Sequence, residues 1–299
     1  MVWSFFKSKR SSGHSRVIHT GLRAIDLFAP IPCGGDVLIS GDLKSGTMVL
    51  GKELAVRLMN SPDDSFRVII YLDEGIAEVE SQALELKEVM PSVKSIYVSD
   101  LISHGEISKQ LSQSTPSAKD VIIACSERSS FIHLFREAIA QARTELNSPH
   151  SLTSFVFGDD IREGSYDAKI ISNILLAKQG IYPALDTLRS FSTASTDKSF
   201  SRERIAVAKG AKEAIDAASA ALNADGASDS NWILSTDPSK RLAAQAMRFM
   251  SQPMFVGEPY TGLKAEYLPI EAMVKDFQRL LAGEFRDLPP AELMYKNHL

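Results

Sequence analysis

The chain has 299 residues, of which 44% are apolar and 23% are charged, the composition of a globular protein with one large or two medium domains. Its net charge of -4 argues against a globally basic nucleic-acid-binding protein. Cys33 and Cys125 provide neither a disulfide framework nor metal-site spacing, and no apolar run reaches the roughly 18 residues of a membrane span. We therefore expect no nucleic-acid partner, no metal site and no integral membrane segment.

The first 18 residues differ in composition from the rest of the chain. Basic residues occur between Lys7 and Arg16, serine is frequent, and the first acidic residue is Asp26. Organellar transit peptides and disordered basic tails share this composition. We predict a basic flexible tail over residues 1–18, with a cleaved targeting segment as the alternative.

The next predicted elements form a strand, a loop and a helix. A short buried strand over 37–40 is followed by a loop bounded by Gly41 and Gly46, and then by a helix. This order is typical of a phosphate-binding loop, in which backbone N–H groups and a helix N-terminus hold anionic oxygens. The usual pattern G-x-x-x-x-G-K-[ST] is half present, because Thr47 and Met48 stand where the lysine and the Mg²⁺-binding hydroxyl are expected.

Apolar runs and helical segments alternate from this loop to Gly180. The predicted strands are 66–74, 95–100, 120–127 and 152–157, and the predicted helices are 49–60, 76–90, 104–119 in part, 130–146 and 166–179. This alternation predicts an α/β fold with a mostly parallel sheet, whose ligand lies beyond the carboxyl ends of the strands. The polar residues predicted at those ends are Asp73, Glu74, Asp100, Ser126, Glu127, Asp159 and Asp160.

The strand pattern stops at about residue 196. Helices are predicted over 201–223, from Asp237 and Pro238 to about 250, and from Pro269 to Gly283. We therefore predict three parts: the tail at 1–18, an α/β domain at 19–195 and an all-helical C-terminal domain at 196–299.

Several of these segments resemble the beta subunit of rotary ATP synthases. The pattern T-G-x-x-x-I-D-L-x-A-P from Thr20 is similar to the segment before the family's phosphate loop, and GIYPALD (180–186) is similar to its nucleotide-pocket segment. The segments 248–262 and 275–290 resemble its C-terminal helical domain closely. The resemblance spans residues 19 to 295 and implies a RecA-like P-loop NTPase core and a helical C-terminal domain, without the family's N-terminal β-barrel.

The resemblance also assigns five catalytic groups, of which one is retained. The phosphate-binding lysine corresponds to Thr47, the Mg²⁺-binding threonine to Met48, the Mg²⁺-associated aspartate to Ser126 and the phosphate-contacting arginine to Ser130. Glu74 matches the carboxylate that activates water and is the one candidate catalytic residue. Because phosphoryl transfer depends on positioning and electrostatic stabilisation, we expect ordinary ATP hydrolysis and Mg²⁺ binding to be lost.

The family's adenine pocket is better preserved. The stacking aromatic corresponds to Tyr182, and further walls correspond to Met254 and Tyr260. Stacking needs only a π-face and apolar walls, although the two tyrosines could instead pack between the domains. The predicted residues for binding ATP or ADP are Gly41, Lys44, Gly46, Thr47, Tyr182, Met254 and Tyr260.

Two features near these segments have alternative interpretations. Lys44 and Lys52 flank the loop, and either could replace the missing lysine, the alternative being solvated surface lysines. The segment 230–237 is similar in position to the family's acidic rotor-contacting loop, but its Trp232, Ile233 and Leu234 predict a contact with a partner protein instead, the alternative being local packing.

The first functional hypothesis is a catalytically inactive, beta-subunit-like protein. It would act as a structural, assembly or regulatory subunit, with other ATP synthase-type subunits or a related hexamer as partners. The resemblance implies a location in the cytoplasm or on the mitochondrial matrix side of an energy-transducing membrane, with membrane association only through the complex. The second hypothesis is a nucleotide-binding protein or slow ATPase with a remodelled phosphate site, and the third is an interaction protein that shares only the fold.

Overall fold

A parallel β-sheet with flanking helices dominates the computed structural model. It describes residues 17–62, 66–75, 79–89, 96–99, 102–112, 119–126, 128–146, 152–158, 165–225 and 237–299. The strands are β1 Val17–Ile18, β2 Ile31–Pro32, β3 Asp36–Gly41, β4 Phe66–Asp73, β5 Ile96–Ser99, β6 Lys119–Cys125, β7 Leu152–Phe157, β8 Ala168–Ser172 and β9 Phe191–Ser192. The helices are α1 Arg23–Phe28, α2 Thr47–Met59, α3 Val79–Val89, α4 His104–Leu111, α5 Ser129–Glu145, α6 Ile174–Lys178, α7 Arg202–Asp225, α8 Pro238–Phe249, α9 Glu258–Thr261 and α10 Ile270–Leu281.

The described strands of the main sheet follow the order β5-β4-β6-β7-β3-β8-β9. All neighbours are parallel except β8 and β9, which are antiparallel. This arrangement confirms the predicted α/β class with a mostly parallel sheet. It also places β3, which precedes the glycine-bounded loop, between β7 and β8 in the interior of the sheet.

Successive residues of the central strands face two different parts of the core. Val37 and Ile39 of β3 pack in the core cluster on the α2 side, whereas Leu38 packs in the cluster that contains Phe131 and Phe135 of α5. Both faces are buried, which is why these strands are near-continuous apolar runs in the sequence.

Two predicted boundaries are wrong. Val17 and Ile18, assigned to the flexible tail, are buried and pair with Pro32 and Ile31 as a small antiparallel sheet. The helix predicted over 166–179 is instead strand β8 followed by the short helix α6. In β8 the buried and partly exposed residues alternate, and five residues pair in register with β3, so tertiary pairing decides the local structure.

The described residues beyond Ser192 are helical or lie in turns. α7 packs against α8 and α10, and the predicted cap of α8 is confirmed, since the Asp237 side chain accepts a hydrogen bond from the Ser239 N–H at 2.9 Å. Trp232, Ile233 and Leu234 lie outside the described residues. Among the helices that are described, none is both long and apolar enough to cross a membrane.

A buried ion pair on α2 connects this helix with two distant segments. Glu53 Oε1 accepts from Arg57 Nε at 2.5 Å, and both side chains have 0% exposure. Arg57 also donates to the carbonyls of Gly21 at 3.2 Å and Glu266 at 3.0 Å. The second Glu53 oxygen accepts from the Val256 N–H at 3.0 Å. The pair therefore ties helix α2 to the segment before α1 and to the segment after α8.

A second buried arginine joins α1 to the C-terminal segment by hydrogen bonds. Arg23 donates to the carbonyls of Phe249 at 2.8 Å, Lys296 at 2.7 Å and Asn297 at 2.6 Å. Burial lowers the pKa of Arg23 to about 9, partly opposed by the charge of Asp276. Backbone carbonyls thus satisfy most of a guanidinium that would be costly to bury alone.

We expect Arg57→Met to destabilise the protein by about 3–5 kcal/mol, because Glu53 would remain buried without its cationic partner. Urea unfolding followed by circular dichroism measures the change. The matched control is Lys209→Met on α7, in an i,i+4 pair with Glu213 whose side chains are 77% and 69% exposed. This control should unfold like the wild type, and an equal effect of the two substitutions would contradict the importance of the buried pair.

Candidate functional site

The glycine-bounded loop begins directly after β3 and opens helix α2. Its residues are 42–46, and the backbone is left-handed at Lys44 (φ 65°) and at Gly46 (φ 92°). Gly46 is the N-cap residue of α2 and makes no side-chain cap hydrogen bond to the first turn, since glycine has no side chain. The N–H groups and positive dipole end of that turn are the features with which such loops bind anions.

Both glycines of the loop are required by close contacts. A Cβ on Gly41 would lie 2.6 Å from the carbonyl oxygen of Ser172 and 2.8 Å from Ser45 Oγ. A Cβ on Gly46 would lie 3.1 Å from Cε1 of Tyr182, at a φ that favours glycine. The structure therefore brings the predicted stacking residue Tyr182 directly against the predicted phosphate loop.

The two residues after Gly46 have no long cationic or metal-binding side chain. Thr47 is buried, with its Oγ1 3.3 Å from Ser45 Oγ. Met48 packs against the apolar core beneath α2. The Met48 thioether, at the position where the Mg²⁺-binding hydroxyl was expected, does not fit Mg²⁺, which prefers hard oxygen ligands.

The two lysines near the loop lie in different surroundings. Lys44 is exposed at the loop tip. Lys52 lines a cavity of about 10 Å³ between α2, α3 and the sheet, together with Met48 and Cys125. Burial raises the pKa of the Cys125 thiol to about 12, against the opposite influence of the Lys52 charge. Of the two, Lys44 is the one at the loop surface.

An acidic residue inside the loop is held by groups on the β8 side. The Asp42 carboxylate accepts from Arg189 Nη1 at 3.1 Å and from the Ile174 N–H at 3.0 Å. Arg189 Nε also donates to the buried Asp186 at 2.7 Å. Burial alone would lower the pKa of Arg189, but hydrogen bonds to the two carboxylates raise it. The negative charge within the loop is therefore neutralised from outside the loop.

A second polar cluster occupies the ends of β4 and β6. The buried Asp73 carboxylate accepts from Ser126 Oγ, from Arg128 Nε at 2.7 Å and from the Gly75 N–H at 2.9 Å. Burial alone would raise the pKa of Asp73, but these hydrogen bonds and the Arg128 charge together lower it. Ser126, which the resemblance aligns with an Mg²⁺-associated aspartate, thus binds another protein side chain.

The remaining predicted residues are more scattered. Glu74 is exposed next to Asp73, and its N–H donates to the Ser99 carbonyl at 3.1 Å. Met254 is half-buried and precedes a 3₁₀ turn over Phe255–Gly257, whereas Tyr260 on α9 is 84% exposed. Ser130 on α5 is exposed, whereas Thr47 on α2 is buried. Asp100, Glu127, Asp159 and Asp160 lie outside the described residues.

The sequence analysis missed Arg128, Arg189 and the role of Asp42. Arg128 lies three residues after the end of β6, and Arg189 follows the GIYPALD segment. Their sequence signal is a charge near a strand end or in the glycine-bounded loop, and the contacts Arg128–Asp73 and Arg189–Asp42 join residues far apart along the chain. Among the described residues, no group of three or more His, Cys, Asp or Glu side chains is arranged to hold a metal ion.

A comparison with protein-family models gives no match for this chain.

We expect Gly46→Ala to destabilise the protein by about 1–2 kcal/mol, because alanine is strained at this φ and its methyl group presses on Tyr182. The control is Gly105→Ala in α4, where the nearest atom to the new methyl group is 3.9 Å away. The control should be neutral or slightly stabilising, since alanine favours a helix. Urea unfolding compares the two variants, and a harmless Gly46→Ala would contradict the loop geometry.

The lowered pKa of Asp73 predicts a pH-dependent contribution to stability. The contribution is complete above the unfolded-state pKa, about 3.9, and is lost as pH falls through the lower folded-state pKa. The difference in unfolding free energy between wild type and Asp73→Asn should therefore be constant near neutrality and should shrink below about pH 4. Urea titrations across this range test it. A difference that grows on acidification would contradict the assignment, and Glu213→Gln on the surface is the control.

Proposed function

We propose that this chain is a beta-subunit-like P-loop protein that binds an adenine nucleotide without Mg²⁺ and does not hydrolyse it. The observation that carries the proposal is the contrast within one site. The loop keeps Gly41 and a left-handed Gly46 that starts helix α2 beside Tyr182 without a capping side chain of its own, while the Ser126 hydroxyl donates to Asp73. The anion-binding shape is retained, and the metal-binding chemistry is replaced.

The fold supports the RecA-like part of this proposal. The loop follows an interior strand of a parallel sheet, and β3 is separated from β6 by β7. A ligand in such a sheet binds beyond the carboxyl ends of the strands, where the loop and the end of β6 both lie. The predicted phosphate site and the position of the former Mg²⁺-associated aspartate therefore face the same crevice.

The buried contacts support a nucleotide site that spans the loop and the segment after α8. Glu53 on α2 binds the Val256 N–H at 3.0 Å, and the Gln252 N–H donates to the Tyr182 carbonyl at 2.9 Å. These contacts connect the loop helix, Tyr182 and the segment that carries Met254. An adenine ring could stack on Tyr182 while its phosphates lie at the start of α2.

We propose a structural, assembly or regulatory role in an ATP synthase-type complex or a related hexamer, with nucleotide as a structural or regulatory ligand. The resemblance over residues 19–295 supports this role, and the loss of four of the five catalytic groups argues against a catalytic subunit. A slow ATPase that uses Lys44 is the second candidate, favoured by the exposed position of Lys44 at the loop tip.

We expect no release of phosphate from Mg-ATP above the rate without protein, because the metal ligand and the phosphate-binding lysine are both replaced. Wild type, Glu74→Gln and Lys44→Gln should behave alike in a continuous phosphate assay. Turnover that Glu74→Gln abolishes would contradict the proposal. Turnover that Lys44→Gln abolishes would instead favour the slow ATPase.

Binding of the base is tested by calorimetric titration with ADP in EDTA. Tyr182→Leu removes the π-face and should weaken binding about tenfold or more, whereas Tyr182→Phe should bind like the wild type. The control is Phe191→Leu on the edge strand β9, an aromatic residue that is 43% exposed. Unchanged binding by Tyr182→Leu would mean that Tyr182 only packs against the loop.

A further inference from the structure

An arginine and a buried carboxylate face each other at the ligand end of the sheet. Asp73 Oδ2 accepts from Arg128 Nε at 2.7 Å, and Oδ1 accepts from Nη2, so two parallel hydrogen bonds join the groups. The Asp73 side chain is 1% exposed and that of Arg128 is 43% exposed. The arginine is therefore exposed to solvent at this end of the sheet, whereas the side chain of its acidic partner is buried.

Strand register places this pair level with the phosphate loop. Ile39 of β3 pairs with Phe157 of β7, Phe157 pairs with Cys125 of β6, and Cys125 pairs with Leu72 of β4. Asp73 directly follows Leu72, so it is level with Ser40 near the end of β3, two residues before the loop begins. Neighbouring strands are about 4.8 Å apart, so the end of β6 lies about 10 Å from the end of β3.

Tyr182 indicates the direction in which a bound nucleotide extends. Its ring contacts the Gly46 position, and the carbonyl of Ala184, two residues later, accepts from the Asn173 N–H at the end of β8 at 2.9 Å, so Tyr182 lies on the β8 side of the loop. A nucleotide whose base stacks on Tyr182 and whose first phosphates lie at the start of α2 extends away from β8. Its last phosphate therefore points toward β7 and β6, the side on which Arg128 lies.

The contact between Arg128 and Asp73 has the geometry with which arginine also binds phosphate. We propose that Asp73 is a built-in substitute for a phosphate group and that the third phosphate of ATP competes with it for Arg128. Asp73 can act in this way only if the chain binds nucleotide as proposed above. The consequence is a site that binds a nucleoside diphosphate at least as tightly as the triphosphate.

The competition follows from how Asp73 is held. Ser126 Oγ and the Gly75 N–H also donate to its carboxylate, so the acid stays in place when the arginine moves. A third phosphate must therefore draw Arg128 away from a buried carboxylate that keeps only neutral donors, and such a carboxylate is costly. Replacing the charge with an amide removes this cost and leaves the side-chain shape unchanged.

The test is a double-mutant cycle with ADP and ATP, both titrated in EDTA. Asp73→Asn should raise the affinity for ATP about tenfold and that for ADP less than about twofold, since a charge-assisted hydrogen bond becomes available to the third phosphate. Arg128→Gln alone should weaken ATP relative to ADP, and the double variant should lose the ATP-specific gain. Arg136→Gln is the control, because this arginine on α5 lies over Tyr166, 4.5 Å from the ring centre.

Equal effects of Asp73→Asn on both nucleotides, or a gain that survives in the double variant, would overturn the proposal. Because Asp73 is buried, thermal unfolding must first show that the variant folds. If it does not, the exposed Arg128→Gln decides, and an unchanged ratio of ATP to ADP affinity would overturn the proposal. Failure of the folded wild type to bind either nucleotide would overturn the proposed function and this inference with it.

Discussion

The buried ion pair of Glu53 and Arg57 fixes the position of helix α2, which begins at the glycine-bounded loop. Two charges without solvent contact are stable only when further hydrogen bonds satisfy them, and here the carbonyls of Gly21 and Glu266 and the Val256 N–H do so. Because the pair lies on α2, it connects the helix that opens at the loop with segments more than 200 residues later, such as the Glu266 contact at a separation of 209. The position of the loop is thus determined by long-range contacts.

The polar groups around the loop mostly bind one another. Asp42 is neutralised by Arg189, Asp73 by Arg128, and Ser126 donates to Asp73. In a hydrolytic site such groups would be directed at metal and phosphate. Here they bind one another within the protein. This arrangement fits the proposed site, in which a nucleotide is bound and not hydrolysed.

Much of the fold follows from local sequence patterns, and much of the site does not. Apolar runs alternating with helices predicted the parallel sheet, and Asp237 before Pro238 predicted the start of α8. Strand β8 was missed because it has five residues, too few for a clear sequence pattern, and because its structure depends on pairing with β3. The Asp73–Arg128 and Asp42–Arg189 pairs join residues separated by 55 and 147 positions, a distance at which one sequence contains no pairing signal.

The most direct measurement is a calorimetric titration of the wild-type protein with ATP in Mg²⁺ and again in EDTA. The proposed nucleotide site, with Thr47, Met48 and Ser126 in place of the resembled family's lysine and Mg²⁺ ligands, predicts binding with the same affinity under both conditions. Binding that requires Mg²⁺ would contradict the account, because it would mean that other groups in the crevice bind the metal.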